Sequence, residues 1–148
     1  MNTETLLATF LGEFDPAMAA FACGVRERMR ERLPGAVELV YDNFNALVIG
    51  YGPDEKSSHA PFSIAVYPRW INLFVLVGAS IADPSRRLSG KGSQVRSLRV
   101  DDIALFDDPE IEALIQASLA VRPINPTGPR RLVIRAIAPN KRARRQVT

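Results

Sequence analysis

Four stretches of this 148-residue chain hold side chains whose types and spacing could do chemistry. Ser89-Gly90-Lys91-Gly92-Ser93-Gln94-Val95-Arg96 places two glycines, a lysine, a glutamine and an arginine at the start of a strand-like run. Backbone amides of such a loop can cradle an anion, with Lys91 and Arg96 adding charge. A flexible basic turn is the plainer reading, and the spacing is not that of a P-loop. Tyr41-Asp42-Asn43-Phe44-Asn45 combines aromatic faces with hydrogen-bonding groups, as either a strand-end turn or the rim of a polar pocket. Tyr67, Arg69 and Trp70 pose the same choice between an aromatic hairpin and a ligand platform. The carboxylates Asp101, Asp102, Asp107 and Asp108, followed by Glu110 and Glu112, are the densest acidic cluster. They offer oxygen ligands to a hard cation, although Asp108, Glu110 and Glu112 equally suit a helix start with nothing bound.

Two single residues add less. His59 is the one histidine, and a metal site needs converging ligands, so an exposed loop residue is the simpler expectation. Cys23, the one cysteine, lies in a helical pattern beside Phe21 and Ala22, which predicts a buried, inert thiol. It also excludes an internal disulfide and a cysteine zinc site. No nucleophile-and-base pair, metal motif or dinucleotide fingerprint occurs, so no catalytic residue and no cofactor are assigned.

The elements that must position these groups follow from hydrophobic periodicity. A short helix is predicted from Glu4 to Leu11, capped by Thr3 and ended by Gly12. Asp15-Pro16 opens a second helix with Met18, Phe21, Ala22, Val25, Met29 and Leu33 inward and Arg26, Glu27, Arg28, Arg30, Glu31 and Arg32 outward, stopped at Pro34-Gly35. Strand character dominates from Ala36. Val37, Leu39 and Tyr41 alternate with Glu38, and Phe44 to Tyr51, Pro61 to Tyr67, Trp70 to Val77 and Val95 to Val100 follow. Asp108-Pro109 starts a third helix that Pro123 closes, and Leu132 to Ile137 is a candidate edge strand. The expected class is α+β: an antiparallel sheet of about five or six strands with helices packed on one face.

Composition bounds the class further. With 47% apolar and 24% charged residues the chain suits one globular core rather than a disordered polypeptide. Its longest uncharged apolar run, Trp70 to Ala82, is too short to span a bilayer, and the first residues do not resemble a secretory signal. A cytoplasmic protein with no membrane partner is expected. The net charge of +3 is unevenly spread. Residues 1–112 carry 11 Lys or Arg against all 16 Asp or Glu, a net −5, whereas residues 113–148 carry 8 Lys or Arg and no acid, a net +8. The expected division is a domain over residues 1–121, then a linker, edge strand and basic arm over 122–148. The last residues read as a solvated tail, or as an arm that docks on its own acidic domain or on a neighbour's.

The runs Tyr41 to Val48, Tyr67 to Phe74, Gly78-Ala79 with Asp83-Pro84, and Leu88 to Gly92 resemble the YdhG-like family of bacterial proteins, domain of unknown function 1801. The resemblance covers residues 14 to 120. It implies a small α+β domain with an element order similar to that of frataxin, and some relatives are described as iron chaperones. The family's recognisable polar positions match Asn72, Asp83, Gly90, Lys91, Gly92 and Arg96, with Tyr41 and Asp42. Where many members carry a histidine, this chain has Trp70, which removes a nitrogen ligand for iron.

Three functional expectations follow. A binding domain would hold a small anionic ligand through Tyr41, Asp42, Asn43, Trp70, Asn72, Lys91, Gln94 and Arg96. An iron-handling protein would use Asp101, Asp102, Asp107 and Asp108. Nucleic-acid contact would be confined to the basic C-terminal arm. A homodimer is left open.

Overall fold

The computed structural model describes residues 2–146. Helix α1, Thr3–Leu11, is capped by Asn2 rather than Thr3, the Asn2 side chain accepting from the Thr5 amide at 2.8 Å. Helix α2, Pro16–Arg32, has proline in its first turn, and its buried stripe is Ala22, Val25 and Met29. Gly35 then turns the chain at φ +80. A side chain there would also drive its Cβ to 2.0 Å from the Asn125 carbonyl oxygen, so only glycine fits.

Five strands follow as an antiparallel meander: β1 Val37–Asp42, β2 Leu47–Gly52, β3 Phe62–Val66, β4 Ile71–Val75 and β5 Arg96–Val100. Helix α3, Pro109–Val121, begins at Asp108, whose carboxylate accepts from the Glu110 amide, and it buries Ile111, Leu114, Ile115 and Ser118. Strand β6, Leu132–Ile137, completes a six-stranded sheet in the order β5-β4-β3-β2-β1-β6. The architecture is the α+β sheet with helices on one face that the sequence predicts.

One strand departs from the antiparallel expectation. β6 pairs with β1 in parallel, because the linker at Asn125 to Gly128 packs on the Gly35 turn and starts β6 at the same end as β1. The Glu38 amide donates to the Arg131 carbonyl there, and Arg135 bulges out where the register shifts.

The face of β1 is also reversed from the simple alternation. Register places Glu38, Val40 and Asp42 beside Tyr51, Ile49 and Leu47, on the helix-facing side. Val37, Leu39 and Tyr41 take the outer side. Glu38 is 2% exposed and is held by Arg26 of α2 at 2.8 Å, with Arg30 at 3.7 Å. Arg26 reaches on to Glu4 of α1, and the two carboxylates raise its guanidinium further despite burial. The Tyr51 phenol lies beside this pair without hydrogen-bond geometry, and burial together with the Glu38 charge pushes its pKa well above the ordinary value. Thus the arginines expected to face solvent on α2 are structural. Arg28 and Arg32 likewise hold Asp107, and Arg32 donates to the Phe106 carbonyl at 2.7 Å.

Cys23 is exposed rather than buried. It lies one position past Ala22, which rotates it off the buried stripe and into the groove between α1 and α2. It should therefore react with a colourimetric disulfide reagent in the folded protein at the rate of a free thiol. Reaction that requires denaturant would contradict that placement. Glu38→Ala should destabilise by about 3 kcal/mol in urea unfolding, because it removes the buried partner of Arg26 and the one carboxylate that meets Arg30 among the described residues. Glu4→Ala, at the exposed end of the same network, should cost under about 1 kcal/mol.

Candidate functional site

The sheet separates the residues that the sequence groups together. Asp42, Leu47, Val66 and Ile71 mark one end of the sheet by register, and Val75 and Arg96 mark the other. Trp70 precedes Ile71, so it stands about 16 Å along β4 from Arg96, five residues at roughly 3.3 Å each. Lys91 and Gln94 belong to the Arg96 end. There the Arg96 guanidinium donates to the carbonyls of Gly92 at 2.6 Å and Val95 at 2.9 Å. The loop is thus closed by its own arginine, spent on carbonyl oxygens. Tyr41 and Asn72 lie on the outer sheet face, in one cross-strand row with Val48, Ala65 and Arg99.

The four acidic candidates do not converge. Asp101 pairs with Arg99 at 3.1 Å, Asp102 caps a short 3-10 turn through the Ala104 amide, and Asp107 meets Arg28 and Arg32. Asp108 caps α3 and accepts from Arg87 at 2.8 Å, a hydrogen bond that lowers its pKa. Among the described residues, no group of three or more His, Cys, Asp or Glu side chains is placed to share a metal ion. His59 is exposed and hydrogen-bonded to Asp54 at 2.8 Å.

Asp42 is 0% exposed, so it supplies no ligand contact; it anchors the C-terminal arm. Lys141 reaches Asp42 and Glu13, both at 2.7 Å. Arg144, 4% exposed, meets Asp42 at 2.6 Å and donates to the Asn43 carbonyl at 3.0 Å. Each cation also lies over an aromatic ring, Lys141 above Phe10 and Arg144 above Phe14. Farther along, Arg145 donates to the Gly12 carbonyl, and the Gln146 amide donates to Asp15, whose carboxylate makes no cap bond to α2. The segment expected as a solvated tail is docked as far as residue 146, and Val147 and Thr148 lie outside the described residues.

Docking of the arm forms one wall of a cleft of about 570 Å³. The opposite wall is the β3–β4 turn, closed by a hydrogen bond from the Tyr67 amide to the Trp70 carbonyl. Tyr67 and Trp70 stack across that turn with ring centroids 4.8 Å apart and planes 21° from parallel. Arg142 is pinned opposite: its amide donates to the Phe44 carbonyl and its guanidinium to the Asn45 side chain at 3.3 Å. The lining comprises Asn45, Tyr67, Pro68, Arg69, Trp70, Arg142, Ala143 and Arg144. Three are arginines and none is a carboxylate. Arg144 is neutralised by Asp42 and Glu13, while Arg69 and Arg142 form no ion pair among the described residues. Trp70, still 37% exposed, offers indole surface to the space.

Such an arrangement can bind an anion and a flat apolar group together. It provides no nucleophile with a base. Of the residues expected from sequence, Trp70 lines the cleft and Asn43 supports its arm through a carbonyl. Asn45 belongs to the polar stretch read as a possible pocket rim, whereas Arg142 carries no motif and leaves only the excess of basic residues after position 121 as its trace in the sequence.

The electrostatics of the arm can be tested by alkaline titration. Burial opposes the Lys141 charge, but its hydrogen bonds to Asp42 and Glu13 prevail and hold its pKa above the usual lysine value of 10.5. A cation raised on folding stabilises the fold fully below the unfolded-state pKa, and that contribution is lost as pH rises through the folded-state value. The melting temperature should therefore fall above about pH 10.5, and less steeply in Lys141→Met, where Tyr51 still contributes a slope of the same sign. Superimposable profiles would remove this role for Lys141. None of the family models, curated proteins or solved structures compared with the chain matches it.

Proposed function

We propose that this chain is a non-enzymatic binding domain that holds a small anionic ligand in the cleft between the Tyr67-Trp70 turn and the C-terminal arm. The observation that carries the reading is the pair Arg69 and Arg142, both without an acidic partner among the described residues, flanking an exposed indole. Guanidinium groups give planar, charge-assisted hydrogen bonds to carboxylates and phosphates, and a cleft of this volume lies within the range of small-molecule sites. The reading keeps the anionic ligand expected from sequence and moves its site from the glycine loop to the arm. It is compatible with the YdhG-like resemblance, on which a bacterial origin also rests, and with the cytoplasmic location expected from the sequence. No described helix is long and apolar enough to cross a membrane. Iron handling finds no supporting arrangement, since each acidic candidate is engaged separately.

Trp70 is the one tryptophan of the chain, so tryptophan emission, excited beyond the tyrosine absorption band, reports on this cleft. Titration with pyrophosphate and with ribose 5-phosphate should change that emission saturably, with affinity falling as salt rises. The Arg69→Ala/Arg142→Ala variant should weaken binding at least about tenfold for each cation lost. Binding undiminished in the double variant would place the anion elsewhere.

A further inference from the structure

Resting on the reading above, we infer that the ligand is a nucleotide: its base lies against Trp70 and its phosphate lies between Arg69 and Arg142. The two halves of such a ligand match two kinds of surface that the fold brings together. Tyr67 covers one side of the indole at 4.8 Å and holds it in place, so a second ring can stack on the remaining surface without ordering a mobile side chain. More than a third of Trp70 remains exposed although it is a large apolar residue next to a sheet. A stacked aromatic pair left open beside unpaired arginines is the combination used for single bases and their phosphates.

The cations are positioned rather than merely present. Arg69 lies in the same tight turn as the stack, between Tyr67 and Trp70 in sequence. Arg142 is fixed from the other wall through its own backbone bond to Phe44, and Arg144 next to it is immobilised by Asp42. The phosphate therefore meets guanidinium groups from both walls. The Asn45 side-chain oxygen is taken by Arg142, which leaves its amide nitrogen, in the same lining, as a neutral donor. No carboxylate lines the cleft to repel the phosphate.

A free nucleotide and a nucleotide within a single strand share this chemistry, so the test includes both. Calorimetry and Trp70 emission would compare AMP, UMP, adenosine, ribose 5-phosphate and a five-residue oligouridylate on the full chain. AMP is expected to bind at least about fivefold more tightly than ribose 5-phosphate, a gap that Trp70→Leu should close when read by calorimetry. Arg69→Ala should weaken AMP about tenfold and adenosine little. Arg69 is exposed and unpaired, so that variant keeps the fold. Oligouridylate binding no tighter than UMP identifies the free nucleotide. Much tighter binding with the same dependence on Trp70 and Arg69 identifies a strand. Equal affinity for AMP and ribose 5-phosphate, still dependent on the arginines, would overturn the nucleotide while leaving the anion site standing. No binding by any of the five would remove both.

Discussion

Two carboxylates on the helix-facing side of the first strand, Glu38 and Asp42, set the conditions that the rest of the molecule satisfies. Removing a carboxylate from water costs several kcal/mol unless a cation and hydrogen bonds replace the solvent. Each therefore recruits its own cations, and these come from different parts of the chain. Glu38 takes Arg26 and Arg30 from α2, which fixes that helix against the start of β1. Asp42 takes Lys141 and Arg144, more than ninety-five residues later, which fixes the arm against the end of the same strand. Both networks extend outward to a half-exposed or exposed acid, Glu4 in the first and Glu13 in the second. The first strand is thus clamped at its two ends by charge, with Val40 alone supplying apolar burial between them on that face.

That arrangement explains which features were legible in the sequence. Proline after aspartate at Asp15-Pro16 and Asp108-Pro109 marks a helix start through a local steric and hydrogen-bonding rule, and both helices begin there. The β-branched run Leu132 to Ile137 forms a strand with the expected ends. The face of β1 was not legible, because alternation of Val37, Leu39 and Tyr41 with Glu38 suggests charge outward. Cations that arrive from distant segments overrule the local pattern. The direction of β6 likewise depends on where the 122–131 linker is held, and that follows from the tertiary contact between Gly35 and Asn125.

The same distinction separates the candidate sites. Clusters along the sequence, such as the carboxylates from Asp101 to Asp108, proved to be neighbours in sequence with separate tasks: two caps and four arginine partners. The glycine loop at Ser89 to Arg96 is closed by its own arginine, with Gly90 at φ +133 allowing the close approach. The arginine-lined cleft is built from three separate segments, Asn45, Tyr67 to Trp70 and Arg142 to Arg144, and spacing along the chain carries no signal that they meet. Its turn, Tyr67, Arg69 and Trp70, could be singled out in advance because these residues are neighbours in sequence, and Asn45 stood in a polar stretch; what brings Arg142 opposite them is tertiary.

The division of labour among the arm's cations decides what the cleft can do. Lys141 and Arg144 are spent on buried Asp42 and on Glu13 at its edge, so their charge is cancelled locally and they act as fasteners. Arg142, between them in sequence, is turned the other way by its own bonds to the Phe44 carbonyl and the Asn45 side chain, and it keeps its charge. A basic run that alternates fastener and free cation therefore stabilises the fold and arms the cleft with the same few residues. It also couples the two. With Lys141 and Arg144 released from Asp42, Arg142 would be held only by its bonds to Phe44 and Asn45, so the buried carboxylate also supports the wall that faces the Tyr67-Trp70 stack.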